Sequence, residues 1–123
     1  MRVVALTLAA LALAPGSAGA PTTASSGSGL RGIVTRGPIT PVCIEGEPCD
    51  EPAIGVVLRF SRRGAVVARA RTDPAGRYRV KLLPGRYTVT TALRAGATLT
   101  PHTARVVPAR LARVDFFIDT GIQ

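Results

Sequence analysis

Arg77-Tyr78-Arg79-Val80-Lys81-Leu82 alternates charged and apolar side chains at every position. A period of two is the pattern of an extended strand with one face in a core and the other in water. A helix would instead gather Arg77, Val80 and Lys81 on one side. Turn chemistry brackets the segment. Upstream, Thr72-Asp73-Pro74-Ala75-Gly76 joins a proline of preset φ, an aspartate able to bond the backbone two residues on, and a glycine that accepts positive φ. Downstream, Pro84-Gly85 breaks the chain before Tyr87, Val89, Thr91 and Leu93 resume the inward alternation.

The same period extends in both directions. Ile54, Val56, Leu58 and Phe60 are expected inward, with Val57, Arg59 and Ser61 outward, and Arg62-Arg63-Gly64 supplies a turn. Val66, Ala68 and Ala70 continue inward while Val67, Arg69 and Arg71 face out; near the end, Ala112, Val114, Phe116 and Ile118 alternate with Arg113, Asp115, Phe117 and Asp119. A first strand over Leu30 to Thr35 and a short one over Arg105 to Val107 bring the predicted total to about seven strands. With 10 Pro and 13 Gly among 123 residues, long helices have little room. The pattern predicts an all-β, seven-stranded antiparallel sandwich with one buried and one wet face per sheet.

The N-terminus reads as an export signal. Arg2 precedes an uncharged, predominantly apolar run from Val3 to Ala14, which breaks at Pro15-Gly16 into small residues. That run is too short for a membrane-crossing helix, which needs about 20 residues, so no permanent span is expected. Residues 1–20 are assigned as a cleavable signal peptide. Ala18-Gly19-Ala20 fits the small-x-small rule, although Pro21 would follow that bond, and cleavage after Ala18 or Ala24 stays open. Residues 21–29 (PTTASSGSG) are expected to form a flexible leader, with the domain over residues 30–122. The mature protein is expected to be secreted, extracellular or cell-envelope associated, and monomeric.

The run Thr72-Asp73-Pro74-Ala75-Gly76-Arg77-Tyr78-Arg79-Val80, followed by Leu83-Pro84-Gly85-Arg86-Tyr87-Thr88-Val89, resembles the T-D-x-x-G-x-Y/F … L-x-P-G-x-Y-x-V signature of carboxypeptidase regulatory-like domains. These group with the Cna-B-type and transthyretin-like Greek-key sandwiches. The resemblance implies that fold, and a non-catalytic accessory, spacer or adhesion role in an exported bacterial protein. Some Cna-B-type domains carry a Lys–Asn or Lys–Asp isopeptide crosslink. Here there is no Asn, and Lys81 is the only lysine; it is expected outward on a middle strand, with only Asp115 or Asp119 as partners. That departure argues against a crosslink.

Cys43 and Cys49 enclose Ile-Glu-Gly-Glu-Pro, and in an exported chain so close a pair predicts a disulfide. Glu45, Glu47, Asp50 and Glu51 fall in or beside this ring. They lack the regular spacing of a calcium loop, so a solvated acidic turn is favoured and no metal or cofactor is expected. Catalysis has little to work with. His102 is the only imidazole, and Ser61 is the only serine in residues 30–122. Asp115 and Asp119, four residues apart on one strand face, would stand about 13 Å from each other, against about 5–9.5 Å in glycosidase acid–base pairs. Iron-dependent intradiol dioxygenases and transthyretin-like hydroxyisourate hydrolases, which share a related sandwich, use histidine sets that one His cannot supply. The alternative to a non-enzymatic module is a small secreted hydrolase with a site near the His102 loop.

The net charge is +9, and 15 of the 16 basic residues are Arg. From Pro52 to Gln123 there are 12 Arg and 1 Lys against 3 Asp. Arg69, Arg71, Arg77, Arg79 and Lys81 are expected outward on the two strands of one hairpin, with Arg59 and Arg86 near. Such a face would attract an anionic cell-envelope polymer, a glycan or another surface protein. Phe117 is the only aromatic residue expected to face out, which disfavours nucleic acid, where bases need stacking platforms. The competing reading is that arginine here serves solubility and guards strand edges.

Overall fold

The computed structural model describes residues 27–122, and the expected signal peptide lies outside the described residues. The fold is all-β, with two sheets and no helix among those residues. The described residues form ten strands: β1 Gly29–Gly37, β2 Glu51–Pro52, β3 Val57–Arg62, β4 Ala65–Arg71, β5 Arg77–Lys81, β6 Gly85–Thr90, β7 Thr98–Thr100, β8 Thr103–Val106, β9 Leu111–Arg113 and β10 Phe116–Asp119. The excess over seven comes from the short strands β2 and β7 and from one expected strand divided into β9 and β10.

β1 organises the larger sheet. Its first half pairs antiparallel with β5 and parallel with β9; its second half pairs antiparallel with β2 and parallel with β10. β7 extends this sheet by pairing with β10. The parallel pairings correct the expectation of purely antiparallel sheets. The smaller sheet is antiparallel throughout, in the order β4-β3-β6-β8. Although β4 and β5 are consecutive, they belong to different sheets, so they are not the paired hairpin that the alternation suggested.

The core fills with the inward residues of both sheets. Phe60, Phe116, Leu30, Leu58, Val34 and Val89 are essentially inaccessible. Tyr78 links the layers, with its ring centroid 6.3 Å from Phe60 and 5.6 Å from Phe116. Aromatic rings of this size bury about 150–250 Å² each, so these three are among the largest contributors to the core. The wet faces carry the alternating polar set, so that β5 runs exposed, buried, exposed, buried, exposed.

Three expected inward residues are exposed instead. Ile54 lies in the turn before β3, and Leu93 lies in the loop beyond β6. Val66 faces out because a β-bulge intervenes: Phe60 pairs with Ala68 but Ser61 pairs with Val66, leaving Val67 as the extra residue. One inserted residue reverses the side-chain parity beyond it. Residues 21–26 of the expected leader lie outside the described residues, but Ser28 and Gly29, also expected in it, are part of the fold. Ser28 is buried and its hydroxyl donates to the Leu82 carbonyl oxygen at 2.5 Å, while Gly29 already pairs with Lys81.

Candidate functional site

An open cleft of about 510 Å³ lies over the outer face of β5, β1 and β9, and its rim includes Arg31, Arg71, Arg77, Arg79 and Arg113. Strand register builds it. Arg31 is opposite Arg79 across the β1–β5 ladder and opposite Arg113 across the β1–β9 ladder. Residues directly paired share a face. The adjacent row, Val80-Leu30-Ala112, points into the core, so the arginine row points to solvent.

Two carboxylates flank this row, and both are tied down. In the turn before β5, Asp73 accepts hydrogen bonds from the amides of Ala75 and Arg77, each at 2.9 Å, and pairs with the Arg77 guanidinium at 3.2 Å. The Arg77 amide, followed by the Ala75 amide and the Arg77 guanidinium, outweighs desolvation and holds the Asp73 carboxyl below its ordinary value. Gly76 completes the turn at φ 79° and accepts from the Val34 amide at 2.7 Å, docking the turn on β1.

On the other side, Asp115 accepts from the Ile33 amide at 2.9 Å and pairs with Arg113 at 3.2 Å. The carboxylate takes the place of a ladder carbonyl, which is why the expected strand divides into β9 and β10. Gly32 permits this crossing, because a Cβ there would collide with the Val114 carbonyl oxygen and lie 2.8 Å from Asp115 Oδ1. Beneath the cleft, the Tyr78 hydroxyl donates to the same Val114 oxygen at 2.5 Å. Burial, and then the Asp115 carboxylate, push the Tyr78 phenol above its ordinary value.

The seven basic residues singled out by sequence divide between the sheets. Arg77 and Arg79 on β5 line the cleft, Arg71 reaches it from the end of β4 in the smaller sheet, and Lys81 lies further along the same outer face of β5. Arg59 and Arg69 pair with each other in the smaller sheet, and Arg86 pairs with Arg105 there. Arg31 and Arg113 did not stand out in sequence; only the pairing of β1 with β5 and β9 brings them to the site.

Cys43 and Cys49 form a disulfide, in an exposed loop whose base is closed by the Ile39 amide bonding the Cys49 carbonyl oxygen at 2.8 Å. Among the acidic residues around it, Glu51 pairs with Arg36, with Arg36 Nε at 2.7 Å. No group of three or more His, Cys, Asp or Glu able to hold a metal occurs among the described residues. His102 is exposed between β7 and β8, where its carbonyl oxygen accepts from the Val89 amide at 2.8 Å. Ser61 lies on β3 opposite Thr88, and no hydrogen bond joins it to His102. Lys81 is opposite Gly29, whereas Asp115 bonds Ile33 at the far end of the β1–β5 ladder.

No protein-family model matches the chain, and no curated protein matches it. Among solved structures it is similar to the chain described as "The Bacillus anthracis TIE protein", with 14% identity and a TM-score of 0.43. That similarity covers 96% of this chain, which spans 19% of the other. The described residues contain no helix long and apolar enough to cross a membrane.

Proposed function

We propose that the chain is an exported, non-enzymatic β-sandwich module of the bacterial cell surface whose basic cleft binds anionic envelope polymers. The resemblance to carboxypeptidase regulatory-like domains and the N-terminal signal pattern support the setting. The observation that carries the binding role is the clustering of Arg31, Arg71, Arg77, Arg79 and Arg113 around one cleft against only Asp73 and Asp115. Arginines spread for solubility alone have no reason to converge on a concave face. The Arg31 and Arg79 guanidiniums there present unbonded planar donor forks suited to oxyanions, and the residual positive field of the five arginines draws polyanions in.

The test is retention of the protein, as processed by an exporting host, on immobilised dextran sulfate and on neutral dextran. Retention on the sulfated polymer is expected at about 0.01 M salt, where the Debye length is about 30 Å, with release at about 1 M, where it is about 3 Å. Equal behaviour on the neutral polymer would remove the proposal. Intact mass of the exported protein should place its N-terminus between residues 19 and 25; an unprocessed chain would remove the export part.

A further inference from the structure

We infer that Arg31 and Arg79 form a site for a phosphomonoester dianion. The inference deepens the polyanion reading and rests on the same cleft, but it names the group bound. The two residues are directly opposite each other on β1 and β5, with backbones about 4.5–5.5 Å apart. Like charges in that position repel, and the sheet places Arg113 as a third cation in the same row.

Among the described residues, neither the Arg31 nor the Arg79 guanidinium has a hydrogen bond or an ion pair. The nearby carboxylates are committed elsewhere. Asp73 is held by two backbone amides and Arg77, and Asp115 by the Ile33 amide and Arg113. Neither can turn to neutralise the central pair without giving up backbone bonds that shape the turn or the strand break. The cleft therefore keeps two unbonded forks at its centre; Arg77 and Arg113 are fixed by acidic partners, and Arg71, which has no acidic partner, is held by donating to the Gly55 carbonyl oxygen at 3.1 Å.

Charge and shape select the ligand. Two guanidiniums without a bonded partner match a dianion, and two forks lining one cleft from directly opposed positions on adjacent strands match a group with three terminal oxygens. A carboxylate offers two oxygens and one negative charge, and a phosphodiester also carries one. A phosphomonoester meets both requirements, and arginine engages it in paired hydrogen bonds that lysine cannot reproduce.

The experiment is calorimetric titration of the protein with phenyl phosphate, diphenyl phosphate and benzoate. At pH 7.5, phenyl phosphate is expected to bind at least tenfold tighter than the other two, and its affinity should fall severalfold at pH 5, below a second ionisation near about 6. Arg31→Gln and Arg79→Gln should each weaken it at least fivefold, Arg31→Lys should not restore it, and Arg59→Gln on the other sheet should leave it unchanged. Both Gln variants should remain folded, with ligand-free melting temperatures higher by about 2–4 °C, because a like-charge pair is relieved. Vesicles carrying phosphatidic acid or phosphatidylglycerol at equal charge separate a lipid source of the phosphomonoester from a soluble one. Equal affinity for the three small anions, or equal weakening by Arg59→Gln, would overturn the site while leaving the polymer reading intact. Phenyl phosphate binding without retention on dextran sulfate would remove the polymer reading and keep the site.

Discussion

The Tyr78 hydroxyl donates a 2.5 Å hydrogen bond to the Val114 carbonyl oxygen, joining β5 to the break between β9 and β10 across the intervening β1. Tyr78→Phe keeps the ring between Phe60 and Phe116 and removes only that bond, so a loss of about 1 kcal/mol is expected in denaturant unfolding. The wild type should also lose stability at alkaline pH. Tyr78 in the fold keeps its proton above the ordinary range, whereas an unfolded tyrosine releases it near about pH 10. The unfolded state then binds fewer protons than the native state, so stability is unaffected below about pH 10 and falls as pH rises beyond it. The Phe variant should show a flatter alkaline limb.

Gly76 and Gly64 have nearly the same positive φ, 79° and 81°, but different surroundings. A Cβ on Gly76 would lie 2.6 Å from the Val34 carbonyl oxygen, while one on Gly64 would meet nothing within 4 Å. Gly64→Ala should cost about 1 kcal/mol, the conformational penalty alone. Gly76→Ala adds a clash with the backbone of β1 and should cost at least about 2 kcal/mol, read from the shift in urea midpoint at unchanged m-value. Equal losses would show that the turn does not depend on close docking to β1.

Thr72 is a buried polar clamp. Its hydroxyl donates to the Ala53 carbonyl oxygen at 2.5 Å and accepts from the Val56 amide at 2.8 Å, fixing the turn that leads into β3. Thr72→Val preserves shape but leaves that carbonyl and amide without their partner, and a loss of about 2–3 kcal/mol is expected. Thr72→Ser should retain most of the stability, and thermal unfolding of the two variants separates the hydroxyl from the methyl group.

The Cys43–Cys49 bond spans an exposed loop that contributes no residue to the cleft lining. Closing so short a ring constrains the unfolded chain by about 2 kcal/mol. The Cys43→Ala, Cys49→Ala double variant should lose about that much in equilibrium unfolding, and free-thiol titration of the wild type should find thiols only after reduction. Its affinity for dextran sulfate should be unchanged, since no cleft residue lies in the ring.

Local rules alone determined the strand class, the main turns and most of the core: Leu58, Phe60, Tyr78, Val80, Tyr87, Val89, Phe116 and Ile118 all lie buried as their alternation required. Thr72-Asp73-Pro74-Ala75-Gly76 forms a turn because its atoms bond one another over a few residues, which a sequence displays directly. The failures arose where parity depends on something nonlocal. The bulge at Val67 reversed Val66, and an Asp115 carboxylate bonding an amide 82 positions away divided one strand into two.

The candidate site belongs in part to that second category. Sequence placed Arg77, Arg79 and Lys81 on one outward face, but the row Arg79-Arg31-Arg113 exists only because β1 lies between β5 and β9 in a particular register. Alternation fixes which way a side chain points within its own strand. Which strand becomes its neighbour, and therefore which charges meet, is decided by packing the two sheets around a shared core, and only the tertiary structure holds that choice.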